Sequence, residues 1–275
     1  MEVLERPTVE ESKTTDLLMA VRALADGPLL ELADDIDRRG NYPKSILQRL
    51  GAVGALKAHL TDPASPADYG LAIRAMTEVS RVCGATGFMV WCHDVCGVYM
   101  EQSGNPALMG DLLAKHGDGE TLGATGMSNP MKTFAGIEAF LLHARKADGG
   151  WRINGTLPWV SNLGPDHYFG AVADVVVADM AETGEPADKA PQEIMFMVRC
   201  DAPGVELRNC PSFSAMEGTN TWAVRLTDYF VGAKDLIAPG QLRQGLPQGC
   251  DGSRAARTNV HAQGMTFRSR TNSVE

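Results

Sequence analysis

The stretch Thr121-Leu-Gly-Ala-Thr-Gly-Met-Ser-Asn-Pro-Met-Lys-Thr-Phe-Ala-Gly-Ile-Glu138, followed after an alternating segment by Trp151-Arg-Ile-Asn-Gly-Thr-Leu-Pro-Trp-Val-Ser-Asn-Leu163, decides how this chain is organised. It reads as a strand, then a polar loop with a Ser128-Asn129-Pro130 turn, then a tight hairpin turning at Asn154-Gly155. That dipeptide is a strong type I′ signal, because both of its positions take positive φ. The hairpin sets Trp159 and Ser161 at a strand end. A turn hydroxyl, an indole face and a second hydroxyl would there converge on one flat, polar-edged ligand.

Upstream, residues 12 to about 117 carry helical spacing. Leu17, Leu18, Val21, Leu24 and Ala25 form a stripe that Gly27-Pro28 interrupts; Leu29, Leu32, Ala33 and Ile36 resume it until Gly40. Pro43 sits at a new start, with Ile46, Leu47, Leu50 and Val53 behind it. A Pro-Ala-Ser-Pro linker at 63–66 precedes Tyr69, Ile73, Met76 and Val79. The next apolar helix runs from about Thr86 to Gln102, and a shorter one follows Asn105-Pro106.

Downstream of Gly117 the period changes. Phe140, Leu142 and Ala144 alternate with their neighbours, and runs at 171–179, 194–199 and 221–231 are rich in Val, Ile, Met, Phe and Trp. These read as strands of an antiparallel barrel or sandwich, with 181–192 as a polar loop tip. Helices followed by strands, without βαβ alternation, predict an α+β chain in segregated layers. The expected units are an N-terminal helical domain (1–117), a middle β-barrel domain (118–240) and an irregular tail (241–275). The tail scatters Arg243, Arg254, Arg257, Arg268 and Arg270 among Gly, Gln, Ser, Thr and Asn, and reads as disordered.

The formal net charge of −9 over 275 residues argues against non-specific nucleic-acid binding, which needs Lys and Arg to neutralise phosphates. No apolar run approaches the roughly 20 residues of a membrane span. The acidic start Met-Glu-Val-Leu-Glu-Arg lacks the form of a signal peptide, so the cytoplasm is the expected compartment and the six Cys read as reduced thiols. Gly117, Gly119, Gly123 and Gly126 have the wrong spacing for a dinucleotide loop. No phosphate loop, GxSxG elbow or HExxH zinc helix is present. Cys92, His93 and Cys96 lie within one apolar helix and read as packing residues, not as a metal site, which needs further ligands.

Several of these segments together resemble the acyl-CoA dehydrogenase family of flavoproteins. Met127-Ser128-Asn129-Pro130 is similar to that family's Thr-Glu-Pro turn, and Gly150 to Gly155 followed by Trp159-Val-Ser161-Asn is similar to its hairpin. Asp37 to Pro43 with Leu50-Gly51 and Gly54 resembles its helical domain. Ala202 to Val205, Gly218 to Thr221, and Phe230 through Asp235-Leu-Ile resemble the end of its β domain. The resemblance implies FAD as cofactor, with Met127 among the cofactor-binding residues, Ser128 at the pyrimidine edge, Trp159 against the isoalloxazine ring and Ser161 at its N5/O4 edge. It implies α,β-dehydrogenation of an acyl-CoA thioester and an electron-transfer flavoprotein as acceptor, and it is compatible with an oligomer. Three departures stand out: Asn129 replaces the acidic residue, Phe134-Ala135-Gly136 replaces Gly-Ser-Asp, and Glu217 replaces an Arg. The family's C-terminal helical bundle, source of its catalytic base, is expected from Gly240, where no amphipathic pattern appears; no catalytic base is therefore assigned. The alternatives are a non-catalytic, truncated flavin-binding fragment or subunit and a flavin-dependent monooxygenase on the same scaffold.

Overall fold

The computed structural model describes residues 9–62, 66–176, 193–210 and 212–238, with 9–13 as backbone only. The polar loop expected at 181–192 and the tail expected at 241–275 lie outside the described residues. Helices come first: α1 (Val9–Leu24), α2 (Leu30–Arg39), α3 (Lys44–Ala52), α4 (Tyr69–Val82), α5 (Gly84–Gln102), α6 (Pro106–Met109) and α7 (Asp111–Gly117). Strand β1 (Gly123–Thr125) and helix α8 (Ser128–Phe134) follow. Then come β2 (Leu142–Ala147), β3 (Gly150–Val160), β4 (Tyr168–Val175), β5 (Glu193–Arg199), β6 (Val205–Asn209), β7 (Trp222–Gly232) and β8 (Leu236–Ala238).

Three expectations are corrected. First, Gly27-Pro28 does not break the first helix. Residues Ala25–Leu29 form a π-helical turn that joins α1 to α2, and the Leu30 N–H reaches the carbonyls of Ala25 and Gly27. A wider turn accommodates a proline that has no N–H to donate. Second, Asn154-Gly155 is not the hairpin turn. Both residues lie inside β3, and the turn is Asp148-Gly149, with Ala147 paired to Gly150 and Gly149 at φ +71°. Asn154 and Gly155 instead sit at an irregularity in the β3–β7 ladder, where Asn154 Oδ1 accepts the Asp228 N–H at 2.9 Å. Gly155 is required there because a Cβ would stand 2.0 Å from the Leu141 carbonyl oxygen. Third, Ser128-Asn129-Pro130 opens a helix and not a loop. Proline fits this first turn because its missing N–H would have no intrahelical acceptor.

The sheet runs β6-β7-β3-β2-β4-β5-β8. Most neighbours are antiparallel, but β4 pairs in parallel with β1 along its first half (Gly123 opposite Tyr168) and with β2 at its far end (His143 opposite Asp174). The sheet is therefore mixed. Strands β4 and β5 read as nearly unbroken apolar runs because both of their faces are covered, whereas β2 and β3 alternate buried with exposed residues. On β5, Ile194, Phe196 and Val198 join the core with Trp151, Ile153 and Val224, while Met195 and Met197 face the helices with Tyr99 and Met100. Helix α5 lies against this second face, so close that a Cβ on Gly170 would meet the Tyr99 ring at 2.5 Å.

Helix α5 is also tied to α7 by a pair of histidines. His93 and His116 stack at 3.6 Å between ring centroids, 5° from parallel. The Gly123 N–H donates to His93 Nδ1 at 3.2 Å, so His93 carries its proton on Nε2 and gives it to the His116 carbonyl at 3.0 Å. His116 Nε2 returns a bond to the His93 carbonyl at 2.9 Å. Both rings are fully buried and neutral, and burial holds both well below the ordinary histidine range, His116 at about 4.

Candidate flavin site

Strand β3 positions the indole through a break in its alternation. Leu157 and Val160 point into the core, while Trp159 is 52% exposed. The β3–β7 register is irregular between Leu157 and Val160, and this segment carries Pro158-Trp159. Across a narrow notch stands the start of α8. Gly126, Ser128, Asn129, Lys132, Glu138, Leu157, Pro158 and Trp159 line it, so Ser128 and Trp159 share one site. The notch holds about one water molecule. A planar ligand would thus lie along the open indole face, not within the notch.

The remaining two sequence-derived positions differ in character. The Met127 side chain turns inward and packs with Val95, Tyr99 and Phe140. Ser161 follows the last residue of β3, half-buried, with its Oγ 2.7 Å from Thr221 Oγ1; it does not line the notch. Trp159 and Ser161 flank the fully buried Val160, which places both on the outward side of the strand end.

Asn129 is a fastener for the loop that frames the notch. It is buried, its Nδ2 donates to Glu138 Oε1 at 2.9 Å and to the Ala139 carbonyl at 2.8 Å, and its Oδ1 accepts the Leu141 N–H at 3.0 Å. Glu138 is held further by Lys132 at 3.6 Å. The one carboxylate at the notch is thus engaged in holding structure.

Asn162 is the residue that sequence reasoning missed. It is buried at φ +60°, a conformation that asparagine tolerates better than most side chains. Its Oδ1 accepts from the Tyr42 hydroxyl at 2.8 Å and its Nδ2 donates to the Gly123 carbonyl at 2.7 Å. Its backbone N–H donates to the Thr219 carbonyl at 2.8 Å, and its carbonyl accepts from His167 Nδ1 at 2.8 Å. The segment before α3, β1, the 217–220 turn and the end of β3 are thereby locked together next to Ser161. Its signal in the sequence was its place at the end of the Trp159-Val-Ser161-Asn segment, where no role was assigned to it.

A flavin fits these residues in one testable respect. A large aromatic side chain half in water, on a strand whose inward neighbours are core, leaves half of its surface unused by the chain's own packing and suits a flat aromatic partner.

Residues 11–120 match the family model described as acyl-CoA dehydrogenase, N-terminal domain. Over 213 residues the chain is 29% identical to the mitochondrial isovaleryl-CoA dehydrogenase of Pongo abelii, covering 74% of this chain and 48% of that protein. The fold resembles butyryl-CoA dehydrogenase from Megasphaera elsdenii at a TM-score of 0.69 and 16% identity, over 95% of this chain and 75% of that one. It also resembles a glutaryl-CoA dehydrogenase from Mycobacterium smegmatis solved with FADH2, at 0.69 and 16%, over 90% of this chain and 61% of that one. The chain spans about a third to a half of the length of the curated relatives it matches. Over residues 11–120 the chain thus matches the N-terminal domain of acyl-CoA dehydrogenases, and over 74% of its length it is similar to one of them.

Proposed function

We propose that this chain binds FAD on the face formed by Ser128, Trp159 and Ser161 and serves the α,β-dehydrogenation of an acyl-CoA thioester. The observation that carries the reading is the half-exposed Trp159 set across from Ser128, in a chain similar to this family. Bound FAD would supply the hydride acceptor; the protein's part is to hold and orient it. Trp159 offers a flat apolar face, and the two hydroxyls offer polar contacts at the ring's edges. An electron-transfer flavoprotein is the electron acceptor proposed on the family resemblance.

Glu138 supports a second reading, a flavin-binding subunit without its own proton acceptor, because its carboxylate is bound by Asn129 and Lys132. The two are separated by adding FAD to the purified full chain, removing the excess and recording flavin absorbance before and after an acyl-CoA. Retained flavin that bleaches supports the dehydrogenase; retained flavin that no acyl-CoA bleaches supports the subunit. Oxygen uptake with reduced flavin and a small amine or aromatic would support a monooxygenase. A chain that retains no flavin overturns all three.

A further inference from the structure

Away from the flavin notch, the β2–β3 hairpin concentrates basic groups on a chain whose net charge is −9. Arg145 on β2 stands directly opposite Arg152 on β3, and His143 stands opposite Asn154. All four are exposed. Cross-strand partners carry their Cβ atoms about 5 Å apart, so two like charges in this register repel. Around them lies a cavity of about 520 Å³, lined also by Lys146 and Asp228. It shares no residue with the notch between Ser128 and Trp159.

The donors at this cavity are held from behind. His143 Nδ1 donates to Asp174 Oδ1 at 2.6 Å, which fixes the ring and leaves Nε2 for a ligand. Arg152 donates to the Asp228 carbonyl at 3.0 Å, and its guanidinium lies 5.0 Å from the centre of the Phe230 ring. Lys146 Nζ lies 4.5 Å from the centre of the Trp151 ring. Asn154 Oδ1 accepts the Asp228 N–H at 2.9 Å, while Asn154 Nδ2 has no acceptor among the described residues. Among the described residues Asp228 is the one carboxylate in the lining, and it lies 3.5 Å from Arg152. A bulge sets this geometry. Thr227 and Asp228 of β7 stand against the single Asn154, and Asp228 takes φ +51°. Bulges and strained residues of this kind gather where a strand re-aims side chains at a ligand.

We infer that this face binds a small phosphate-bearing molecule, its phosphate seated between the guanidinium groups of Arg145 and Arg152 and accepting from Asn154 Nδ2. Planar guanidinium forks present paired N–H donors that match phosphate oxygens. An anion between the two arginines replaces their mutual repulsion with attraction to a shared centre. The site is independent of the flavin reading above.

The test titrates the full-length chain with inorganic diphosphate by calorimetry, at low and at physiological salt. The proteins are wild type, Arg145→Gln, Arg152→Gln, Asn154→Asp and, as a control on α3, Arg49→Gln. Wild type should bind, and more weakly as salt rises. Arg145→Gln and Arg152→Gln should each weaken binding by about tenfold or more, the loss of one charge-assisted hydrogen bond. Asn154→Asp keeps the acceptor for the Asp228 N–H but exchanges the amide donor for a carboxylate oxygen, and should weaken binding as much. Arg49→Gln should match wild type. If Arg49→Gln weakens binding as much as the hairpin variants do, the attraction is diffuse charge and the inference is wrong. A wild type that gives no binding heat with millimolar diphosphate overturns it as well. So does a wild type that sediments with anionic phospholipid vesicles but ignores free diphosphate, since the face would then be a membrane contact.

Discussion

The hydroxyl of Tyr42 donates a 2.8 Å hydrogen bond to Oδ1 of Asn162, 120 positions away in sequence. It joins the helical part of the chain to the strand end that carries Ser161, with the Lys44–Asp166 ion pair at 2.6 Å close by in sequence.

Asn162→Ala should destabilise the protein by about 3–5 kcal/mol. It leaves the Tyr42 hydroxyl and the Gly123 carbonyl short of a partner, at about 1–3 kcal/mol each, and forces alanine to positive φ. Tyr42→Phe should cost about 1–2 kcal/mol in the wild type and little in the Asn162→Ala background. Urea unfolding of the double-mutant cycle measures this; equal costs in both backgrounds would show that the bond contributes nothing.

The buried histidines predict acid sensitivity. His93 and His116 are neutral in the fold, with values lowered from the ordinary 6.5, to about 4 for His116, while the unfolded chain takes up protons near 6.5. Protons bound preferentially by the unfolded state lower stability as pH falls from about 6.5 through about 4. For His116 alone the loss is on the order of 3 kcal/mol. His116→Gln should flatten this limb of a stability–pH profile, and an unchanged slope would refute the assignment.

Asp94 has the opposite sign. It is fully buried beside His59 at 3.8 Å, with both carboxylate oxygens free of hydrogen bonds from other protein groups. Burial raises its value well above the ordinary 3.8 and lowers that of His59 to about 3. A carboxyl held protonated in the fold costs stability as pH rises above its unfolded value. Asp94→Asn should therefore stabilise the protein near neutral pH, with the gain shrinking toward about pH 4. A loss near neutral pH would show that the charged carboxylate is the native form.

Trp159→Ala should weaken FAD binding at least tenfold while changing stability by less than about 0.5 kcal/mol, as expected for an exposed position. Trp151→Ala, eight residues earlier and buried, should cost about 3–5 kcal/mol. Fluorescence titration and urea unfolding of the two variants separate ligand contact from core packing; a large stability loss at Trp159 would remove it from the site.

Gly155→Ala should cost at least about 3 kcal/mol, because its Cβ would enter the Leu141 carbonyl at φ +140°. Gly136→Ala, also at positive φ but facing open space, should cost about 1 kcal/mol. Thermal unfolding of both distinguishes backbone collision from conformational preference alone.

The elements that were legible in advance are those whose periodicity reports burial. The stripe through Ile46, Leu47 and Leu50 became α3, and the runs around 194–199 and 221–231 became β5 and β7. Strand β6 was not read, because Val205–Asn209 is a short, mostly exposed edge strand whose alternation rests on Val205 and Leu207 alone. The hairpin was misplaced by six residues because Asn-Gly and Asp-Gly carry similar turn preferences. Only the pairing of Ala147 with Gly150 distinguishes them.

By itself the amino-acid order determined the two-part character of the chain and the presence of an indole and a hydroxyl two positions apart, since local period and residue type suffice for both. Tertiary structure alone decided that Ser128 faces Trp159, that Asn162 locks the strand end, and that the Ser161 and Thr221 hydroxyls share a hydrogen bond. These depend on contacts between segments up to 120 residues apart, whose distances arise only once the sheet and α5 are packed.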